Sequence, residues 1–194
     1  MRSLMRLSSL LIAVVLAITA PVIAAGEYTL RTVTVEQAQS AADLALAYAR
    51  AGVPYKLAGH LTLQEFQAGT VEGGVDASGL VVNVYREVLG EIRWAGGGGE
   101  DPLLLADIAS ATFFNWNTLP VRVDDLCPGD LLFFKNASGR ISGVGLFLEK
   151  NGDLVRYVVA SANKGRVIKT FLNTKNQSWH QSFAGAGRLT YWQK

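Results

Sequence analysis

Asp76-Ala77-Ser78-Gly79-Leu80-Val81 is the stretch on which the fold of this chain turns. Asp76 is a strong helix N-cap, because its carboxylate accepts hydrogen bonds from amides that a first helical turn leaves unpaired. Behind it Leu80, Val81, Val84, Tyr85 and Val88 recur at helical spacing, and Gly90 follows as a stop. This pattern predicts a mostly buried helix over 77–89. Ala77, the first residue inside that helix, offers a methyl group and nothing polar.

Upstream, Thr34 with Gln37 three residues later makes a capping box. It predicts a helix carrying Ala38, Ala41, Ala42, Ala45, Leu46 and Ala49 and ended by Gly52, its small-residue face suited to close packing. Gly52-Val53-Pro54-Tyr55 then opens a long loop reaching Val75. Downstream, 96–99 is a run of glycines without the Lys-Ser/Thr tail of a phosphate loop, so it reads as a connector. Asp101-Pro102 is expected to open a third helix ending before Asn115, since proline suits the first helical position. From Pro120 onward the pattern is one of strands and turns. Leu126-Cys127-Pro128-Gly129-Asp130 is a tight turn feeding a strand over 131–135, with further strands at about 143–149, 154–161, 166–170 and 187–192. Asn151-Gly152 marks a hairpin. Helices followed by a mostly antiparallel sheet define an α+β class.

The N-terminus has a basic tip (Arg2, Arg6), an apolar stretch over 10–18 and small residues around Val22-Ile23-Ala24-Ala25, the order of a secretory signal peptide. Residues 1–24 are expected to be removed, leaving a short lead-in over 25–33 and a single domain over 34–194. An uncleaved span over 7–25 is the competing reading, but two serines, a threonine and Pro21 interrupt it. No cysteine lies nearby to carry a lipid. Losing the signal lowers the 18 basic residues to 16, equal to the 16 acidic ones. A neutral chain has no electrostatic claim on nucleic acid, which is bound through a basic patch. The single cysteine, Cys127, forms no internal disulfide. Periplasm or cell exterior is the expected location, with no stable membrane anchor after cleavage.

Six segments in order resemble the NlpC-type, papain-like family of cell-wall cysteine peptidases. Gly52-Val53-Pro54-Tyr55 matches the family's tyrosine-bearing loop, and Asp76-Ala77-Ser78-Gly79-Leu80-Val81 matches its Asp-Cys-Ser-Gly-Leu-Val helix start. Pro128-Gly129-Asp130-Leu131-Leu132-Phe133-Phe134 matches the turn and first core strand. Ser142-Gly143-Val144-Gly145 matches a Ser-His-Val-Gly strand, and Val159-Ala160-Ser161 a His-Ala-Ser segment. Trp179, 183–186 and Arg188 resemble the closing segment. The resemblance implies a papain-like α+β fold, with N-terminal helices packed on the sheet.

It also implies acyl transfer on peptidoglycan stem peptides: a thiolate at the helix start attacks, and a histidine activates it and protonates the leaving amine. Helix-terminal amides and the dipole favour that thiolate. In this sequence the nucleophile position is Ala77, the base position Gly143 and the orienting position Val159. The expected protein is therefore a secreted pseudoenzyme that holds stem peptide or a related ligand in the old cleft through Tyr55, Asp76 and Ser78. Two alternatives stand beside it. One is a scaffold for a protein partner such as a cell-wall enzyme, with Phe113, Phe114 and Trp116 as candidate contacts. The other is an endopeptidase or amidase whose catalytic residues are unrecognised or engineered out. Cys127, His60 and His180 are the residues such chemistry would need. Neither a metal site nor a cofactor is expected, since two histidines and one distant cysteine make no ligand set.

Overall fold

The structure, a computed structural model, describes residues 27–194; the expected signal segment lies outside the described residues. The chain begins with β1 (Thr29–Thr32), α1 (Val35–Ala51), α2 (Leu63–Gln67) and α3 (Ala77–Leu89). Two short strands, β2 (Trp94–Ala95) and β3 (Leu104–Leu105), pair with each other before α4 (Ser110–Trp116) and β4 (Thr118–Pro120). The second half is β5 (Leu131–Lys135), β6 (Ile141–Asn151), β7 (Leu154–Ser161), β8 (Arg166–Asn173), α5 (Gln177–Ser182) and β9 (Phe183–Gln193). The main sheet runs β1-β9-β5-β6-β7-β8, with β4 also on β9, and its pairs are antiparallel.

Local signals formed α1 and α3 as read. Thr34 and Gln37 make the reciprocal capping box of α1, and Gly52 ends it at φ 71°, a left-handed conformation that glycine adopts without Cβ strain. Asp76 caps α3. Most of α3 is buried, from Gly79 to Tyr85 and again at Leu89, so it is a central helix of the core.

The sheet separates two apolar clusters by strand alternation. On β5, Leu131 and Phe133 join α1 and α3 in the larger cluster, while Leu132 and Phe134 face a smaller one around Phe147, Tyr157 and Trp179 of α5. Trp179 stacks on Phe183 with ring centroids 4.0 Å apart.

The turn before β5 ties these layers together. Asp130 is fully buried and accepts both Nε–H and Nη2–H of Arg188 on β9, each at 2.9 Å. It also accepts the Cys127 amide at 2.8 Å. The carbonyl of Gly129 accepts the buried Tyr85 hydroxyl of α3 at 2.8 Å. A Cβ on Gly129 would fall 2.0 Å from the Ala38 carbonyl oxygen of α1, so only glycine lets α1 approach.

Three expectations are corrected. The helix expected from Asp101 starts only at Ser110, because Leu104 is buried and 104–105 pair with 94–95 around the glycine run; the amide of Gly96 donates to the Leu103 carbonyl. That helix also runs on through Asn115 to Trp116. The described part of the lead-in, 27–33, is not separate from the domain, since β1 pairs with the end of β9 from Thr29 opposite Gln193 to Thr32 opposite Thr190. The loop from Gly52 to Val75 holds α2, whose Thr62 and Glu65 repeat the capping-box pattern seen at Thr34.

Replacing Asp130 by alanine leaves the Arg188 guanidinium without its partner and the Cys127 amide without an acceptor. We expect a loss of about 1–3 kcal/mol, since a partly buried guanidinium and a turn amide both lose a charged acceptor. A urea midpoint shift at unchanged m-value checks it, and a loss below about 1 kcal/mol contradicts it.

Candidate functional site around the start of helix α3

The start of α3 lies where three backbone segments cross at close range. The amide of Asp76 donates to the Gly59 carbonyl, Leu61 to Gly74, and Val75 to Pro54. A Cβ on Gly79 would sit 2.3 Å from the Gly59 oxygen, and one on Gly59 would sit 2.3 Å from the Gly74 oxygen. These glycines are required by proximity, and the Ser-Gly pair after Ala77 is thereby a packing feature in its own right.

Asp76 is fully engaged by this crossing. Its Oδ1 accepts the Gly79 amide at 2.7 Å and the Ser78 hydroxyl at 3.0 Å, and its Oδ2 accepts the Ala58 amide at 2.9 Å. Ala58 has φ 54°, an uncommon conformation for alanine that the Asp76 bond helps to hold. Asp76 and Ser78, both expected to contact ligand, serve the helix cap and the adjoining loop through these bonds. Tyr55 differs. Its amide donates to the Gly165 carbonyl and its ring packs partly buried against the larger cluster, yet no described group hydrogen-bonds its hydroxyl.

Ala77 is partly buried against the larger cluster. Gly143 lies opposite Phe134 on β5, and a Cβ there would meet only Phe134, at 3.6 Å. Val159 packs in the smaller cluster with Phe134 and Tyr157. Burial pushes the Tyr157 hydroxyl up to about 12, as expected for a surrounding without charge. The two strand positions therefore share one apolar face, while Ala77 belongs to the cluster on the helix side.

His60 lies over the first turn of α3, its Nδ1 3.3 Å from the point a Gly79 Cβ would occupy. Residues 77 and 79 are about 200° apart around a helix, so His60 sits across α3 from the Ala77 methyl group. Its Nε2 pairs with Asp107 Oδ2 at 3.2 Å, and its carbonyl accepts the Asn83 side chain. A cavity of about 350 Å³ opens beside it between Lys56, Glu65 and Glu72. Sequence reasoning missed Asp107, since nothing local links it to His60 forty-seven positions away. His180 is on α5 beside Lys135 and Asn136, on the opposite side of the sheet. Cys127 is in the turn at Arg188, and that turn is hydrogen-bonded to α3 at Tyr85, about 12 Å along the axis from Ala77 at 1.5 Å per residue. Cys127, His60 and His180 are not brought together, and no group of three or more potential metal ligands occurs among the described residues.

Of the aromatic segment, Phe113 is fully buried against Trp94 and Phe114 is partly buried against Phe133. Only Trp116 is exposed, at 51%. Two of the three expected partner contacts are core residues.

Comparison with known proteins agrees with this architecture. The NlpC/P60 family profile matches residues 52–188, most of the chain, and the chain belongs to that family. A crystal structure of an NlpC/P60 family protein from Bacillus cereus superposes with a TM-score of 0.50 at 18% identity, covering 82% of this chain and 41% of that one. NlpC1 from Trichomonas vaginalis gives 0.50 at 18% identity, covering 81% and 45%. The chain therefore spans less than half the length of these two proteins. No curated protein matches it. The mostly antiparallel seven-stranded sheet with helices packed on it is the α+β fold of this family. No helix among the described residues is long and apolar enough to cross a membrane.

Asp76→Ala removes a helix cap and two further bonds, and we expect it to lower stability by about 1–2 kcal/mol. Ser78→Ala, which removes only one bond to a carboxylate that keeps two others, is expected to cost less than about 1 kcal/mol. Thermal melts of the two variants check the order; equal or reversed losses contradict the assignment of Asp76 as the structural member.

Proposed function

We propose that this protein is a secreted, catalytically inactive NlpC/P60 domain that holds peptidoglycan stem peptide, or a related ligand, in the region of the ancestral cleft. The observation that carries this reading is Ala77 at the first position of α3, behind an intact cap and loop crossing. The frame that would present a thiolate is kept, and no atom there can attack a carbonyl. Gly143 and Val159 carry no proton-transferring group either, but they lie beside Phe134 and Tyr157 on the other face of the sheet, so the reading rests on Ala77. Removing the nucleophile alone costs several orders of magnitude in rate, so an alanine at position 77 leaves no route for acyl transfer through that position.

Tyr55 is the residue through which ligand binding is tested, since its hydroxyl is not used by the fold among the described residues. The mature chain should co-sediment with purified peptidoglycan sacculi, and Tyr55→Phe should weaken that binding at unchanged melting temperature. No binding by the unmutated chain refutes the reading and favours a protein partner. Exposed Trp116 is the surviving observation for that second reading.

Ala77→Cys should not restore efficient hydrolysis of stem peptides, because His60 lies across α3 from position 77 and neither Gly143 nor Val159 carries a base. Turnover at rates typical of an enzyme, with medians near ~10 s⁻¹, would show that another group takes the proton and would overturn the inactive assignment.

A further inference from the structure

The strand β8 is an edge of the main sheet, and only its first part is covered. The amide of Val167 donates to the Val53 carbonyl, and the Gly165 carbonyl accepts the Tyr55 amide, so the loop after α1 already adds to this edge like a short strand. Residues 165 and 167 therefore point their backbone groups outward. The register with β7 continues without a bulge from Arg166 opposite Ser161 to Asn173 opposite Leu154. By the two-residue period, Lys169 and Phe171 also present their N–H and C=O groups outward. Neither backbone meets a hydrogen-bonding partner among the described residues.

The surroundings of this open edge are basic and apolar. A cavity of about 270 Å³ lies between it and the end of α1, lined by Leu46, Ala49, Arg50 and Lys169. Phe171 is 59% exposed. Arg50, Lys164 and Arg166 take part in no ion pair among the described residues. Lys169 shares the single carboxylate of Glu149 with Arg156, at 3.7 and 3.5 Å. Positive charge is thus in excess beside unpaired strand groups, whereas the mature chain as a whole is neutral.

We infer that the open half of β8 docks an extended, acidic segment of a partner protein by strand addition. Backbone bonds to Lys169 and Phe171 set the register, as in edge-strand recognition generally. A carboxylate side chain lies between Arg50 and Lys169, and an apolar one covers Phe171. The charge also argues against a second copy of this chain as occupant. Pairing β8 with itself would bring Arg50, Arg166 and Lys169 of each copy against the same charges, and like charges across strands are destabilising.

The test uses the mature chain and a blocked, fluorescein-labelled pentapeptide alternating glutamate and valine. Saturable anisotropy is expected, with slowed hydrogen exchange at the Lys169 and Phe171 amides. Lys169→Glu combined with Arg50→Glu should weaken binding at least tenfold. Phe171→Pro should do likewise without unfolding the sheet, because proline is tolerated where the lost N–H faces away from the ladder. A lysine-for-glutamate peptide should not bind, and a backbone N-methylated acidic peptide should bind at least tenfold more weakly. No binding of the acidic peptide, or binding indifferent to both the charge reversal and N-methylation, overturns the proposal. So does a dimer in sedimentation velocity that Phe171→Pro abolishes, which would make a second copy the occupant.

Discussion

The pair between buried Asp130 and partly buried Arg188 is the constraint on which the remaining geometry rests. Its two hydrogen bonds, with the Cys127 amide as third donor, fix the turn that leads into β5. From that turn, contacts run to α1 through Gly129 and Ala38, to α3 through Tyr85, and to β6 through reciprocal bonds with Phe147. The Asp130 carboxylate holds the Arg188 guanidinium firmly protonated. Such a pair contributes little net stability after desolvation, but it punishes any other arrangement of the groups around it. It sets where α3 lies against the sheet, and hence where the start of that helix falls.

At the start of α3 the polar groups serve capping and packing. A helix N-terminus favours negative charge, and here the Asp76 carboxylate supplies it from within the fold. The adjoining glycines let the 56–61 loop press against the first turn, and His60 with Asp107 lies over the side of that turn away from Ala77. On the far side of the sheet, the Gly143 and Val159 positions are occupied by aromatic and aliphatic packing around Phe134 and Tyr157.

Most helices and strands were legible because their signals are local. Capping residues, alanine spacing and the turn at Pro128-Gly129 act within a few positions of the elements they define. The helix expected at Asp101 failed for the opposite reason. Its leucines fit a helix by composition, but Leu104 is taken by pairing opposite Ala95, a contact no window around 101–109 contains. The short α2 had a readable capping box at Thr62 and Glu65, hidden by its length. Among the candidate site residues, the identities at 77, 143 and 159 were readable by motif, while the use of Asp76 as a threefold acceptor was not. Two of those bonds are local, but the third comes from Ala58, eighteen positions earlier.

The sequence by itself determined the absence of a thiol at position 77 and of imidazoles at 143 and 159. Side-chain chemistry is a property of residue identity, and no folding supplies an atom the residue lacks. It also determined α1, α3 and the hairpin at Asn151-Gly152, because capping and turn propensities are short-range. Only the tertiary structure decided which face of the sheet each position meets, that His60 and Asp107 are partners, and that β8 leaves half an edge open beside Arg50 and Lys169. Those outcomes depend on how distant segments pair and cross, a matter of packing and backbone hydrogen-bond satisfaction across the whole chain that no short stretch encodes.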